Sequence, residues 1–248
     1  MSEAWILGCR VHGLNLREAV ERIAGFIEEG TPHQVVTLNA EMAYLAHRHP
    51  DLLRVINSAS LVVPDGAGIL WAARRLGFTL PERLPGVDLA LALMEEGSLR
   101  GWRFYFYGAA PGVAERAALR LRSRFPRLEI AGISHGYLSP PEEEHLLHRI
   151  KESCPHILLV GLGSPKQEFW IARHLPELGV PVAMGVGGSF DVWSGDVSRA
   201  PVFFQRWGLE WLYRLFQQPR RLKRYVALPL FLAAVERERR WKKGRYLP

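Results

Sequence analysis

The chain has 248 residues, of which 48% are hydrophobic, which is enough for a large buried core and for one or two domains. Its net charge of +7 is uneven, because residues 206–248 hold twelve basic and three acidic side chains and the rest is nearly neutral. The longest apolar run, residues 225–235, is shorter than the roughly 20 residues of a membrane span, and Pro229 interrupts it. These numbers exclude a membrane-spanning protein and allow peripheral membrane contact.

The start of the sequence and its cysteines indicate the compartment. No basic, long apolar signal-peptide pattern opens the chain. Cys9 and Cys154 lie far apart and form no C-x-x-C pair, which is typical of reduced thiols. We therefore expect a cytoplasmic protein.

Short apolar runs alternate with helical patterns along the first two thirds of the chain. We predict strands at residues 5–11, 34–38, 60–63, 103–107, 128–133, 156–160 and 180–186. We predict helices at residues 15–26, from 41, 65–76, 87–95, 111–124, 141–153 and 164–174, and then at 202–216, 219–225 and through 233–235. Asn15 is the predicted cap of the first helix, and Ser164, Pro165 and Gln167 form a predicted capping box for a later one.

This alternation predicts an α/β fold: a Rossmann-like, mainly parallel sheet flanked by helices, with right-handed crossovers. The pattern stops near Gly188, and helical, strongly basic sequence follows. We therefore expect an α/β body at residues 1–197 and a basic helical C-terminal appendage at residues 198–248, too short and too charged to fold alone.

The unusual polar and small residues follow the predicted strands. In an open parallel sheet these ends share one edge, where ligands bind. Turns after strands also favour Gly, Pro and Asp for purely local reasons, so the agreement of five loops counts for more than any single glycine. The five groups are Thr37, Asn39 and Glu41; Asp65, Gly66 and Gly68; Gly108, Pro111 and Gly112; Gly161, Gly163, Lys166, Gln167 and Glu168; and Gly185, Gly187, Gly188 and Asp191.

Several common site motifs are absent from the sequence. It contains no G-x-G-x-x-G, no G-x-x-x-x-G-K-[ST], no G-x-S-x-G, no H-E-x-x-H and no D-x-D. A nicotinamide-dependent oxidoreductase is excluded on the missing fingerprint. We expect no cofactor and no metal ion. Lys166 at a predicted helix N-terminus instead suits a phosphate or another polar ligand group.

Together, these segments resemble the WecG/TagA/CpsF glycosyltransferase family, in order and over nearly the whole chain. The most specific blocks are Pro165-Lys166-Gln167-Glu168 and Gly208-Leu209-Glu210-Trp211-Leu212. Further matching blocks begin at Thr37, Pro64, Arg83, Gly108, His135, Gly185, Arg199 and Pro219.

The resemblance implies an inverting transfer of N-acetylmannosamine, or a related hexose, from a UDP-sugar to N-acetylglucosamine on a polyprenyl diphosphate. It implies a role in making teichoic acid linkage units or other surface polysaccharides, without a metal. It also implies a basic appendage that reaches an anionic membrane surface from the cytoplasmic side and helps complete the site. Homo-oligomerisation is left open.

Residue roles follow from the matching motifs. Asp65 is the expected general base, which takes the proton of the attacking hydroxyl. Thr37 and Asn39 are expected beside it, although Asn39 has the alternative role of a helix cap. The expected substrate-binding residues are Arg83, Gly108, Tyr137, Gly161, Gly163, Lys166, Gln167, Glu168, Gly187 and Asp191. The expected ligands of the acceptor diphosphate are Arg214, Arg221 and Arg224.

A nucleic-acid-binding module is the alternative from another functional class. The basic C-terminal segment carries aromatic side chains that could stack on bases: Trp207, Trp211, Tyr213, Tyr225, Trp241 and Tyr246. The apolar run at residues 226–235 argues against this, because apolar and basic residues with interfacial Trp are what a membrane-lying helix needs. We therefore expect a membrane partner and no nucleic acid.

Overall fold

The computed structural model describes residues 2–201, 203–204, 210–217 and 226–244. Its centre is a parallel sheet of six strands: β3 His33–Leu38, β4 Leu61–Pro64, β5 Arg103–Gly108, β6 Glu129–Ser134, β7 Ile157–Gly161 and β8 Val182–Gly185. Their order across the sheet is β4-β3-β8-β7-β5-β6. The predicted parallel sheet is confirmed, with strand ends shifted by one or two residues.

Helices cover both faces of this sheet, as the α/β prediction requires. They are α1 Leu16–Glu29, α2 Ala40–Arg48, α3 Pro50–Ser58, α4 Ala67–Arg75, α5 Gly86–Arg100, α6 Val113–Arg124, α7 Pro140–Ser153, α8 Lys166–Leu178, α9 Ser189–Ser194, α10 Glu210–Gln217 and α11 Ala227–Gly244. One face packs against α1, α5, α6 and α9, and the other against α2, α3, α4, α7 and α8. Because both faces are covered, the inner strands are continuous apolar runs. The Rossmann-like fold class is confirmed.

The prediction of one strand at residues 5–11 is wrong, because the segment folds into a hairpin. β1 Ser2–Ile6 and β2 Cys9–Gly13 pair antiparallel, with Ile6 opposite Cys9. The two residues between them, Leu7 and Gly8, have φ values of 51° and 85°. Positive φ at both central positions matches the twist that a two-residue hairpin requires. Leucine rarely adopts this conformation, so the sequence carries only half of the usual turn signal.

Two predicted helix caps have different outcomes. Asn15 caps α1 in a full capping box, in which its side chain accepts from Glu18 N at 2.9 Å and its own N donates to Glu18 at 2.8 Å. The box predicted at Ser164 is wrong, since α8 begins at Lys166 with Pro165 in the capping position. Gln167 is used in another contact, described below.

The last helix packs into the body. Phe231 and Val235 of α11 are fully buried, in a cluster shared with α2, α4 and the N-terminal hairpin. Polar contacts fix the same face, since Arg75 donates to Glu236 at 2.5 Å and the backbone N of Leu7 donates to Glu238 at 3.0 Å. This helix is therefore part of the core, and a division at residue 197 or 198 stays a prediction.

Some predictions concern residues that the structure does not describe. The predicted helix at residues 219–225, with Arg221 and Arg224, lies outside the described ranges. Within those ranges, no helix has the length and apolar character needed to cross a membrane.

We predict that Phe231→Ala lowers the free energy of unfolding by about 3–5 kcal/mol, because it empties a fully buried site between α11 and α4. The neighbouring Leu232 is 43% exposed, so Leu232→Ala is the matched control and should cost less than about 1 kcal/mol. Urea denaturation of the full chain measures both. Equal losses would show that α11 is not packed in this way.

Candidate functional site

The carboxyl ends of the six parallel strands meet at one edge of the sheet, which confirms where the five polar loops lie. Across the sheet, the residues just beyond the strands are Asp65, Asn39, Val186, Leu162, Ala109 and His135. β5 continues into α6 on one face, and its neighbour β7 continues into α8 on the other. Where neighbouring connections diverge in this way, a crevice opens that can take a ligand.

Glycines allow backbone contact among the segments that end β5, β6 and β7. A Cβ at Gly108 would lie 2.4 Å from the carbonyl oxygen of Gly161, and Gly108 has a φ of 133°. The same carbonyl accepts from Ala109 N at 3.0 Å, and Ala109 O accepts from Gly136 N at 2.8 Å. Gly108 and Gly161, two of the predicted substrate-binding residues, therefore have a structural requirement as well: no larger side chain fits between these strands.

The three predicted catalytic residues, Thr37, Asn39 and Asp65, lie at the carboxyl ends of β3 and β4. Asp65 N donates to Leu38 O at 2.7 Å, which holds the aspartate against the end of β3. Thr37, one residue before the end of β3, is buried, and its Oγ1 lies 3.5 Å from Gly185 O. Asn39 caps α2 by accepting from Met42 N at 2.9 Å, which is the alternative role that the sequence allowed. The three residues are therefore neighbours at one corner of the edge.

The first turn of α8 contacts the loop that follows β8. Gln167 is only 3% exposed; its Oε1 accepts from Gly187 N at 3.0 Å and its Nε2 donates to Glu168 at 2.7 Å. The side chain lies directly over Gly185, where a Cβ would approach it to 2.4 Å. Gln34 of β3 fixes the same turn by donating to Glu168 O at 3.1 Å. Gln167 and Glu168 thus shape the loop after β8.

Other predicted substrate-binding residues line the same edge with more exposure. Lys166 is exposed at the first position of α8, preceded by Gly163 with a φ of 78°. Asp191 is half-buried in α9, and its carbonyl accepts from Val197 N at 3.0 Å. Tyr137 is 74% exposed on the loop after β6. These three residues belong to the segments that follow β7, β8 and β6 at the carboxyl edge of the sheet.

A polar cleft of about 500 Å³ adjoins the loop after β6, at the side of the sheet opposite Asp65. Its lining consists of Glu115, Ile133, Ser134, His135, Leu138, Glu142, His145 and Arg149. Hydrogen bonds from the hydroxyl and the backbone N of Ser139 lower the pKa of Glu142 below its ordinary value. The cleft therefore keeps a carboxylate beside its basic residues.

Ion pairs connect the C-terminal residues to the segments around the corner of the sheet edge that holds Asp65. Arg83 donates through Nη1 to Glu210 of α10 at 2.9 Å, and Arg199 donates to Asp88 of α5 at 2.6 Å. Arg83 immediately precedes Leu84, whose N donates to Pro64 O next to Asp65. Sequence reasoning placed Arg83 in the site but missed Glu210, whose only signal was its position in a matching motif. Arg214 lies one turn further along α10.

We predict that Gln167→Ala speeds hydrogen exchange of the Gly187 amide about tenfold or more, because that amide loses its acceptor. Gln34→Ala is the matched control, since it removes a buried amide that holds the same helix turn but does not touch Gly187. Exchange measured by mass spectrometry or NMR compares the two. The assignment fails if both variants protect Gly187 equally.

Comparison with known proteins identifies the class of this site. The model of the glycosyl transferase WecG/TagA/CpsF family matches residues 4–245. A relative from Bacillus spizizenii (strain W23) is 37% identical over 215 residues, covering 87% of this chain and 83% of that protein. Another from Staphylococcus aureus (strain MW2) is 34% identical over 237 residues, covering 95% and 92%.

Both relatives carry the name N-acetylglucosaminyldiphosphoundecaprenol N-acetyl-beta-D-mannosaminyltransferase. The similarity spans the sheet, the loops at its carboxyl edge and the C-terminal helices. The chain therefore belongs to the WecG/TagA/CpsF family and is a glycosyltransferase.

Proposed function

We propose that this enzyme transfers N-acetylmannosamine from a UDP-sugar to N-acetylglucosamine on undecaprenyl diphosphate, as a step in teichoic acid or other surface polysaccharide synthesis. The names of the relatives support the sugar and the acceptor. The observation that carries the proposal is the corner of the sheet edge where Asp65, held against β3, adjoins the loop that presents Arg83. A carboxylate at the end of β4 and an arginine on the adjoining loop suit proton removal beside a diphosphate.

The proposed reaction is a single displacement with inversion. The acceptor hydroxyl attacks the anomeric carbon while Asp65 takes its proton, and the bond from that carbon to the UDP oxygen breaks with both electrons going to UDP. Negative charge therefore grows on the leaving diphosphate, where Lys166 and the N-terminus of α8 would stabilise it. This chemistry requires neither a cofactor nor a metal ion.

The donor would lie across the loops after β5, β6, β7 and β8. Gly108, Gly161 and Gly163 allow its close approach to the backbone. Tyr137 and Asp191 are accessible for contact with the nucleoside, and Gln167, Glu168 and Gly187 shape the loop that meets the sugar. Thr37 and Asn39, at the end of β3, are the proposed supports of Asp65.

We predict that Asp65→Asn lowers turnover about 10²-fold or more while the fold and UDP binding persist, since the amide cannot accept the hydroxyl proton. Asp51→Asn, on the exposed surface of α3, is the control and should leave turnover unchanged. The assay follows sugar transfer to a short-chain lipid diphosphate acceptor by mass spectrometry. An Asp65→Asn enzyme with most of its activity would exclude Asp65 as the base.

The outward face of α11 is the proposed contact with an anionic membrane. Leu230, Ala233, Arg237 and Arg240 recur at helical spacing and are exposed, and Trp241 beside them is 57% exposed. An apolar half followed by a basic half suits a helix that lies at a lipid interface. Arg214, Arg221 and Arg224 are the proposed ligands of the acceptor diphosphate on the same C-terminal segment.

We predict that charge reversal of Arg237 and Arg240 to Glu weakens binding to phosphatidylglycerol-rich vesicles by about tenfold or more, because each basic residue near an anionic leaflet contributes about 1 kcal/mol. Reversal of Arg122 and Arg124, two exposed arginines of α6, is the control with the same change in net charge. Vesicle co-sedimentation measures both variants. Equal losses would mean that net charge, and not the α11 face, determines binding.

A nucleic-acid-binding role is the second candidate, and the described residues add no observation in its favour. The exposed face of α11 begins with aliphatic side chains, which neither pair with phosphate nor stack on bases as aromatic rings do. Filter binding to DNA and RNA, run with the same variants, separates the two partners.

A further inference from the structure

The three acidic residues of the strongly basic C-terminal segment all contact the body of the protein. Glu236 pairs with Arg75 of α4, Glu238 accepts from the backbone N of Leu7, and Glu210 pairs with Arg83. The first two contacts lie on the face of α11 that covers the hairpin and α4. The Glu210 contact differs, because its partner belongs to the site corner.

The Arg83–Glu210 pair is largely withdrawn from solvent. The two side chains are 20% and 21% exposed, and Arg83 Nη1 lies 2.9 Å from Glu210 Oε2. Screening by water is weaker at such a pair than at an exposed one, so its charges constrain each other more strongly. The contact therefore restrains the Nη1 side of the guanidinium.

Within the part of the chain that the structure describes, the contact of Arg83 uses one nitrogen of the guanidinium, Nη1. A guanidinium has five N–H donors in a plane, and the Nε–Nη2 edge can hold two oxygens of one phosphate. An arginine already oriented by a carboxylate loses less freedom when it binds such a group.

The chain on either side of Arg83 is also fixed at the site. Leu84 N donates to Pro64 O at 2.7 Å, directly before Asp65. Gly86 begins α5 against Thr37, where a Cβ would lie 3.1 Å from the threonine Oγ1. Arg83 is thus held near Asp65 through the backbone of its neighbour Leu84, and its side chain is held to α10.

We propose that Glu210 is a positioning residue, which holds Arg83 by Nη1 so that its Nε–Nη2 edge faces a diphosphate group bound at the carboxyl edge of the sheet. The C-terminal segment then contributes to the site through a carboxylate as well as through its arginines. This inference rests on the proposed role of Arg83 in substrate binding. The diphosphate belongs either to the nucleotide donor or to the lipid acceptor.

The test uses the full chain with Glu210→Gln, Arg83→Gln and the double variant. Two measurements separate the sources of the diphosphate: the affinity for UDP by calorimetry, and KM and kcat for a short-chain N-acetylglucosaminyl diphosphate lipid. We expect Glu210→Gln either to lower the affinity for UDP or to raise the KM for the acceptor by about tenfold, because a charge-assisted contact is misplaced. Glu210→Asp, which keeps the carboxylate, should recover most of that loss.

Double-mutant analysis separates positioning from a merely structural role. If Glu210 acts through Arg83, the double variant loses no more than Arg83→Gln alone. Glu236→Gln breaks another arginine pair of the same segment and should change neither measurement. The inference would be overturned if the loss in the double variant were the product of the two single losses. It would also be overturned if Glu210→Gln lowered only the Tm.

A result in which Arg83→Gln leaves UDP affinity and acceptor KM unchanged would also overturn it, since Glu210 would then have no ligand contact to position. Sugar transfer by the unsubstituted chain tests the proposed function separately. The two failures are therefore distinguishable.

Discussion

Two neighbouring strands of this sheet end closer together than side chains allow, and the geometry of the site depends on that approach. Gly108 faces the carbonyl of Gly161, and Gly161 faces the ring of Phe190, where a Cβ would lie 2.6 Å away. Backbone N–H groups of the following loops then bond across the gap, as Ala109 does to Gly161. The floor of the crevice is therefore peptide backbone, which a ligand can approach closely and which cannot change rotamer.

Next to this backbone floor, buried amide side chains hold the loop after β8 and the first turn of α8 in place. Gln167 has both ends of its amide bonded inside the protein, one of them to the loop after β8. A buried hydrogen-bond network of this kind favours one loop conformation, because another conformation would break the Gln167–Gly187 bond inside the protein. Such fixed dipoles need no reorganisation when charge develops on a substrate, which is a general source of rate enhancement.

The sheet could be predicted from sequence because its strands are covered on both faces and are therefore continuous apolar runs. The polar loops could be predicted because a parallel sheet sends all of them to one edge. The Leu7-Gly8 turn could not, since leucine gives no signal of positive φ. The family resemblance gave the enzyme class, whereas the roles of the individual site residues remain predictions.

Long-range contacts were also beyond the sequence pattern. The bond from Gly187 to Gln167 and the pairing of Arg83 with Glu210, 127 residues apart, depend on how helices settle against the sheet, which no local spacing encodes. For Asn39 the sequence allowed two roles, and the geometry contains the local one, a helix cap. Short-range rules thus predicted elements and caps but not the partners of buried side chains.

The contact between Leu7 and Glu238 joins positions 231 residues apart, close to opposite ends of the chain. During synthesis the hairpin emerges before α11, and the apolar surface that will receive Phe231 and Val235 stays open until α11 has left the ribosome. A nascent or prematurely terminated chain therefore presents that apolar surface to chaperones and proteases. Because the same helix carries its apolar and basic residues on the outward face, completing the core also puts that face on the surface of the finished enzyme.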